Sequence, residues 1–489
     1  MIERYSYPQM RALWEPENRY RKWLEVELLV AEGWAETGRI PRQAAAALRA
    51  NGDRLLSAEF DFGRLVQRTL ELEGDVPEFE PKPGQPVIRH DLIAFLTAVS
   101  EHLGEEKRFL HFGVTSYDIE DTALCLLMRE SCDLIEEDAR ALCDTIRERA
   151  REHRWTPMIG RTHGVHAEPI TFGLKLAVWV AELERDVVRL RQARESVNVG
   201  MASGPVGSYG TVDPRVEEYV CRKLGMALPR ATSQILQRDR HAHYVTALAI
   251  LAGSLERFAT EVRHLQRTEV LEAEEPFRKG QRGSSSMPHK RNPMTCERIT
   301  GLARLVRSFA VPALENMAMW HERDLTNSSV ERIILPDSST LVDYLLRKFT
   351  DVVRDMVVYP DRMRANLDRL KGLVMSEHVM LALVDKGMGK DEAYRLVQRA
   401  AMQAFEAEAD FRALLLQDPA IAQRLSAEEL DACFNVEQHL KRVEVAYQRL
   451  QLDRNCAELK GWPEYEAPSA SYGLPGESLP GDASLEELG

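Results

Sequence analysis

Val245-Thr-Ala-Leu248-Ala-Ile-Leu-Ala252-Gly-Ser-Leu255-Glu-Arg-Phe-Ala259-Thr-Glu-Val262 places apolar residues at alternating steps of three and four. That spacing puts Val245, Leu248, Ala252, Leu255, Ala259 and Val262 on one helical face, with Arg257 and Glu261 among the residues between. The same signature recurs at Leu176, Val180, Leu183, Val187 and Leu190, and in three further segments. These are 121–153 (Met128, Ile135, Leu142), 294–315 (Ile299, Leu302, Val306, Phe309) and 338–358 (Leu341, Leu345, Phe349, Val352, Met356). Five long helices are therefore predicted. At about 1.5 Å per residue, helices of ~25–30 residues run ~40 Å, beyond the usual three to four turns. Rods that slender expose much of their side, so burial by identical chains in a symmetric oligomer is expected.

Smaller regions flank the bundle. Residues 1–110 open with an amphipathic helix near 17–36 and hold a Pro-rich loop at Pro77, Pro81, Pro83 and Pro86. Residues 111–360 form the central bundle, and 361–453 a third helical piece. From 454 to 489 the chain turns to Pro, Gly, Ser and acid, the composition of a disordered tail or extended arm. An all-α fold of three helical domains follows.

The 489 residues carry a formal charge of −13, and six acids without a Lys or Arg lie in 463–489. The remaining body is nearly balanced, which argues against a broad nucleic-acid surface. No apolar stretch reaches the roughly 18 residues of a spanning helix, and MIERYSYPQM lacks the apolar core of a signal peptide. A soluble, cytoplasmic protein is expected. Its seven cysteines form no C-x-x-C pair and read as reduced, mostly buried thiols.

Three polar stretches interrupt the helices: Gly113-Val-Thr-Ser-Tyr-Asp118, Gly160-Arg-Thr-His-Gly-Val-His-Ala-Glu-Pro169 and Gly280-Gln-Arg-Gly-Ser-Ser-Ser-Met-Pro-His-Lys-Arg-Asn-Pro293. Each precedes a long helix, where free backbone N–H groups and the helix dipole favour an anion. The third adds serines, His289, Lys290, Arg291 and Asn292, a carboxylate or phosphate receptor on a mobile loop. Gly204-Pro-Val-Gly207-Ser-Tyr-Gly210 has the wrong spacing for a dinucleotide fingerprint and reads as a loop covering a site. Asp239, His241 and His243 alternate at i, i+2 and scatter around a helix, which argues against a metal there.

GSSSMPHKRNP resembles the signature loop of the fumarase/aspartase superfamily of lyases, and THGVHAEP and GVTSYDIEDT resemble its other two shared regions in the same order. Within it, IERYSYPQM, RHDLIAF, TSQILQRDRH and WHERDLTNSSVERIILPD resemble the branch acting on adenylosuccinate, from residue 1 to about 452. The resemblance implies a homotetramer whose central helices form a twenty-helix bundle, with each active site shared between chains and no metal or cofactor. It implies anti β-elimination of fumarate from adenylosuccinate, giving AMP, and from the succinylated carboxamide ribotide of purine synthesis (SAICAR), giving AICAR.

By that resemblance Ser284 is the base, His163 the general acid that protonates the purine nitrogen, and Glu297 the carboxylate that hydrogen-bonds the acid. Residue chemistry alone prefers His289 as base, because an unperturbed serine hydroxyl is a very poor one near pH 7. Ser284 can serve only if backbone N–H groups and Lys290 stabilise its oxyanion. His166, three residues after His163, suggests a metal pair, but no third ligand stands out nearby and a supporting role fits better. Ser285, Lys290, Arg291 and Asn292 would complete the loop's hold on substrate, Lys290 and Asn292 on a carboxylate. Arg4, Tyr5, Arg89, His90, Asp91, Thr115, Ser116, Gln234, Arg323, Ser328 and Arg332 match the nucleotide-binding positions, where arginines suit a phosphate monoester. Arg298 stands where the family often has Asn. The rival enzyme is a carboxymuconate cycloisomerase, which shares the loop but not Arg4-Tyr5, His90 and Arg332. A non-catalytic structural protein on the same fold is the rival from another class, against which Ser284 and His163 both speak.

Overall fold

The computed structural model describes residues 2–75, 77–79, 84, 87–278, 280–281 and 283–458. Pro81, Pro83 and Pro86 of the Pro-rich stretch and the acidic tail from 459 onward lie outside them. The N-terminal region holds α1 (Pro16–Glu36) and α2 (Asp91–Ser100), whose Tyr20, Trp23 and Phe95 pack into a core of their own. Five long elements follow: α3 (Ser116–Glu152), α4 (Phe172–Val197), α5 (Asp239–Leu265), α6 (Met294–Ser308) and α7 (Thr326–Asp355).

Two of them depart from the spacing. The segment 294–315 breaks at Phe309 and resumes as a short helix, Ala310–Glu315. Pro312 is the cause: it has no N–H for the Ser308 carbonyl and its ring crowds that carbonyl. In contrast, α7 starts at Thr326, well before its apolar run, and carries Pro336 inside it.

Ion pairs and hydrogen bonds fix the helix directions. Lys175 bonds Glu261 (2.6 Å) and Arg240 donates to the Ser196 carbonyl (2.8 Å), so α4 and α5 are antiparallel. Arg191 pairs with Glu136 and Arg147 with Glu184, which sets α3 against α4. Arg347 reaches Asp138 (3.0 Å) and Arg149 the Met356 carbonyl (2.8 Å), so α3 and α7 are parallel. Arg307 pairs with Glu256, and Gln266 donates to the Arg291 carbonyl (3.1 Å), placing α6 antiparallel to α5. Helices α3, α5 and α7 thus run one way, and α4 and α6 the other. Their shared core is stitched by Trp179 stacked on Phe258 (5.0 Å) with Phe349 behind (6.0 Å), each such burial stabilising by about 1.5–3 kcal/mol. Arg238, fully enclosed, ties α3 to α7 through Asp121 and Glu331.

Between α3 and α4 the chain forms a hairpin, β1 (Pro157–Thr162) and β2 (Val165–Thr171), which the sequence reading treated as polar chain leading into a helix. Its two turn residues, His163 (φ 54°) and Gly164 (φ 77°), both adopt the left-handed region that a tight type I′ turn requires. A two-stranded ribbon, β3 (Ala273–Glu274) with β4 (Val357–Val358), joins the chain after α5 to the chain after α7.

The third core gathers Val379, Leu383, Phe411 and Leu430. The chain then leaves it: Leu440, Val443, Tyr447, Leu452 and Cys456 pack on the central bundle. Arg147 donates to the carbonyls of Gln451 and Arg454, and the Cys456 amide donates to Asp144 (2.6 Å). The packed chain therefore runs past 453 to Glu458. All seven cysteines are free, and six are buried. Among the described residues no helix is long and apolar enough to cross a membrane.

Candidate active site

At the end of the bundle where α4 and α6 begin, His163 sits exposed at the hairpin tip. The loop before α6 carries Ser284. Both are moored to one short segment at β3: Arg161 of the hairpin makes two 2.8 Å bonds to Glu272, just before the strand, and Arg291 of the loop makes one of 2.8 Å to Glu274. Tyr359 also donates to Glu274 (2.6 Å). The loop closes on itself where a Cβ on Gly283 would lie 2.2 Å from the Lys290 carbonyl oxygen, and Asn292 Nδ2 donates to the Gly283 carbonyl (3.0 Å). Within that turn the Ser284 hydroxyl oxygen accepts the backbone N–H of Met287 (3.1 Å) and of Ser286 (3.3 Å). Donors aimed at an oxygen favour its anionic form. Ser285, His289 and Lys290 are exposed beside it.

The structure corrects several expectations. The starts of the three helices are not open to an anion. The Glu275 carboxylate fills that of α6, accepting Thr295 N (3.1 Å) and Cys296 N (3.0 Å). Thr115 and Asp118 form a reciprocal cap on α3, and Thr171 Oγ1 accepts Leu174 N on α4 (3.0 Å). Asp118 also accepts the amides of Ser203 and Gly204, pinning the Gly-rich loop against α3. Thr115 is thus spent as a cap, and Arg291 and Asn292 hold the loop's shape. Glu297 is exposed in the first turn of α6, and among the described residues no hydrogen bond joins it to His163. Burial, aided by the Arg161 charge, lowers the His166 pKa, and its Nδ1 is enclosed without a partner. Arg298 donates to the Tyr344 hydroxyl (3.1 Å), whose ring packs edge-on against Tyr5 (5.4 Å).

Most of the residues expected to recognise the nucleotide lie at the opposite end. A cleft of about 450 Å³ is lined by Arg89, His90, Asp91, Ser116, Gln234, Arg323, Ser328 and Arg332. Arg332 pairs with Asp91, Arg323 donates to Gln234 Oε1 (3.1 Å), and the Arg323 guanidinium lies 3.4 Å over the Tyr117 ring. Arg89 takes a left-handed φ of 50° as the chain turns into α2. Exposed Arg4 and half-buried Tyr5 lie partway along α7, beside Tyr344. Sequence reasoning missed Tyr117 and Glu120, which line the cleft. The signal was present: Ser116 and Glu120 are four residues apart on one helix face.

With 37 residues, α3 separates the two ends by roughly 55 Å at 1.5 Å per residue. One chain therefore holds His163 and Ser284 at one end and the arginine-rich cleft at the other. Because α4 and α6 both oppose the other three, their starts share an end.

Residues 3–308 match a family model described as lyase, and residues 372–450 one described as adenylosuccinate lyase C-terminus. The chain is 48% identical over 452 residues to the adenylosuccinate lyase of Bacillus subtilis (strain 168), covering 92% of this chain and 100% of that protein. It is 49% identical over 453 residues to that of Synechocystis sp. (strain ATCC 27184 / PCC 6803 / Kazusa), covering 92% and 100%. Among solved structures it resembles a fumarate lyase from Mesorhizobium sp. BNC1, with a TM-score of 0.81 at 29% identity over 93% of this chain and 100% of that one.

Proposed function

Because this chain belongs to the adenylosuccinate lyases, we propose that Ser284, His163 and the distant arginine-rich cleft are three parts of one composite site, completed only when chains assemble. The reaction is elimination of fumarate from adenylosuccinate, giving AMP, and from SAICAR, giving AICAR. Ser284, as its alkoxide, takes the proton beside the substrate carboxylate. The C–N bond then breaks, its electron pair goes to the purine amino nitrogen, and His163 supplies the proton that nitrogen needs. Lys290 meets the negative charge that develops on the carboxylate. The phosphate monoester binds at Arg323, Ser328 and Arg332, whose planar donors suit its oxygens.

The observation that supports this reading is the pair of backbone N–H groups on Ser284 Oγ, which favours the anionic form that a serine base requires. The roughly 55 Å between ends supports a homotetramer of antiparallel neighbours, which brings the Ser284 end of one chain to the cleft of another. Small molecules are its substrates, and the cytoplasm is where we place it. The test is loss of adenylosuccinate absorbance with purified protein. Turnover that Ser284→Ala abolishes is the expected result, and a wild-type protein that leaves the substrate intact overturns the reading.

A further inference from the structure

Behind the cleft lies a second cavity of about 230 Å³, walled largely by Trp14, Trp23 and Leu124 and sharing Glu120, Ser328 and Arg332 with it. Glu120 makes no hydrogen bond among the described residues. Around the two hollows Trp14 Nε1, Arg19 Nε, His90 Nδ1 and Arg323 Nε are likewise enclosed without partners. Trp14 and Arg19 belong to the inner hollow and His90 and Arg323 to the outer one, and Glu120, Ser328 and Arg332 line both, so a ligand phosphate held by Arg332 and Ser328 lies in the same space as the Glu120 carboxyl.

Charges reach Glu120 from every side: Arg19 on α1, Asp91 at the start of α2, Arg332 on α7 and Arg323 just before α7. Tyr117 lies on its own helix and hydrogen-bonds Ser328. Asp121 and Glu331 are taken up by Arg238, and Glu73 lines only the outer cleft. Burial, with the Asp91 charge, pushes the Glu120 carboxyl up to about 8 against the pull of Arg332, Arg19 and Arg323. A neutral acid is therefore the main form at pH 7.

We propose that Glu120 binds substrate as a neutral acid, its carboxyl O–H donating to an oxygen of the phosphate monoester held by Arg323, Ser328 and Arg332. The inference rests on the nucleotide reading above and adds to it a residue that is acidic yet serves an anion. A phosphate dianion here sits beside Asp91 as well, and an ionised Glu120 would add a further negative charge to the same enclosed space. Binding therefore holds the proton on Glu120, and raising the pH past 8 weakens binding by repulsion.

The test compares wild type, Glu120→Gln and Glu120→Leu from pH 6.5 to 9.5, by steady-state kinetics on adenylosuccinate and by calorimetric titration with AMP. The glutamine keeps a donor without an ionisable proton, so its KM stays near wild type at pH 7 and remains flat where the wild-type KM rises above pH 8. The leucine loses the donor, so KM rises about tenfold at pH 7, a loss of one charge-assisted bond, while kcat changes little. An alkaline rise in KM for Glu120→Gln equal to that of wild type overturns the proposal, as does an unchanged KM in Glu120→Leu. AMP titration separates the two failures. A wild type that binds AMP with the expected pH dependence but turns over nothing overturns the lyase reading and leaves Glu120's role standing. If AMP binding is indifferent to both pH and residue 120, the Glu120 proposal alone falls.

Discussion

Arg161 and Arg291, far apart in sequence, grip carboxylates two residues apart, Glu272 and Glu274, each through 2.8 Å bonds. The hairpin that presents His163 and the loop that presents Ser284 are therefore set against one short segment, Glu272 to Glu274. Glu272→Gln halves the charge on that mooring while keeping its shape, so kcat should fall about tenfold or more with KM less affected, because a small misplacement is costly in a reacting geometry. Steady-state kinetics check this, and equal changes in both constants would speak against positioning.

Ser284→Ala should lower kcat by about a thousandfold or more while substrate still binds, since general-base steps contribute on the order of 10²–10⁴. Equilibrium binding of adenylosuccinate to the variant separates the two effects. A kcat within a few-fold of wild type would move the base to another group, with exposed His289 the next to test.

Gly283→Ala should abolish activity without unfolding the protein. Its methyl group would lie 2.2 Å from the Lys290 carbonyl oxygen, so the turn that aims two N–H groups at Ser284 cannot close. Circular dichroism should stay helical while turnover vanishes.

Mixing subunits tests the shared site. Chains carrying Ser284→Ala and chains carrying Arg332→Ala, refolded together, should regain part of the activity that neither has alone, because the two positions lie at opposite ends of each chain. Hybrid oligomers on native gels with no activity would overturn sharing for this pair.

His111 Nδ1 lies 2.7 Å from the buried Glu27 carboxylate. Burial opposes its charge, but the Glu27 charge and hydrogen bond outweigh it, and the His111 pKa is raised. A raised histidine stabilises the fold fully below its unfolded value of about 6.5, and that contribution is lost as pH rises through the folded value. The stability deficit of His111→Gln should therefore be largest near pH 6 and shrink toward alkaline pH, as read from chemical denaturation midpoints.

The long helices were legible because burial on one face repeats at 3.6 residues, and Val245 to Val262 records that directly. What sequence hid is contact at a distance. The turn at His163-Gly164 looks like any polar approach to a helix until Thr162 pairs with Val165. Glu275 carries no mark that it will close the start of α6, and Leu440 to Leu452 read as more of the third domain and Cys456 as tail, although all of them pack on the central bundle. The loop that carries Ser284 stood out through a long motif, and the spacing of Ser116 and Glu120 marked a shared helix face, but the charges that surround Glu120 come from Arg19 and Arg323 on other elements, which no local pattern announces.

The closure of every catalytic helix start by the chain's own side chains has an evolutionary consequence. A scaffold that bound anions through helix ends would have its recognition written into backbone geometry and fixed with the fold. On the reading proposed above, recognition rests on individual side chains mounted on a finished frame, so a point substitution changes what the cleft accepts without altering how the rods pack.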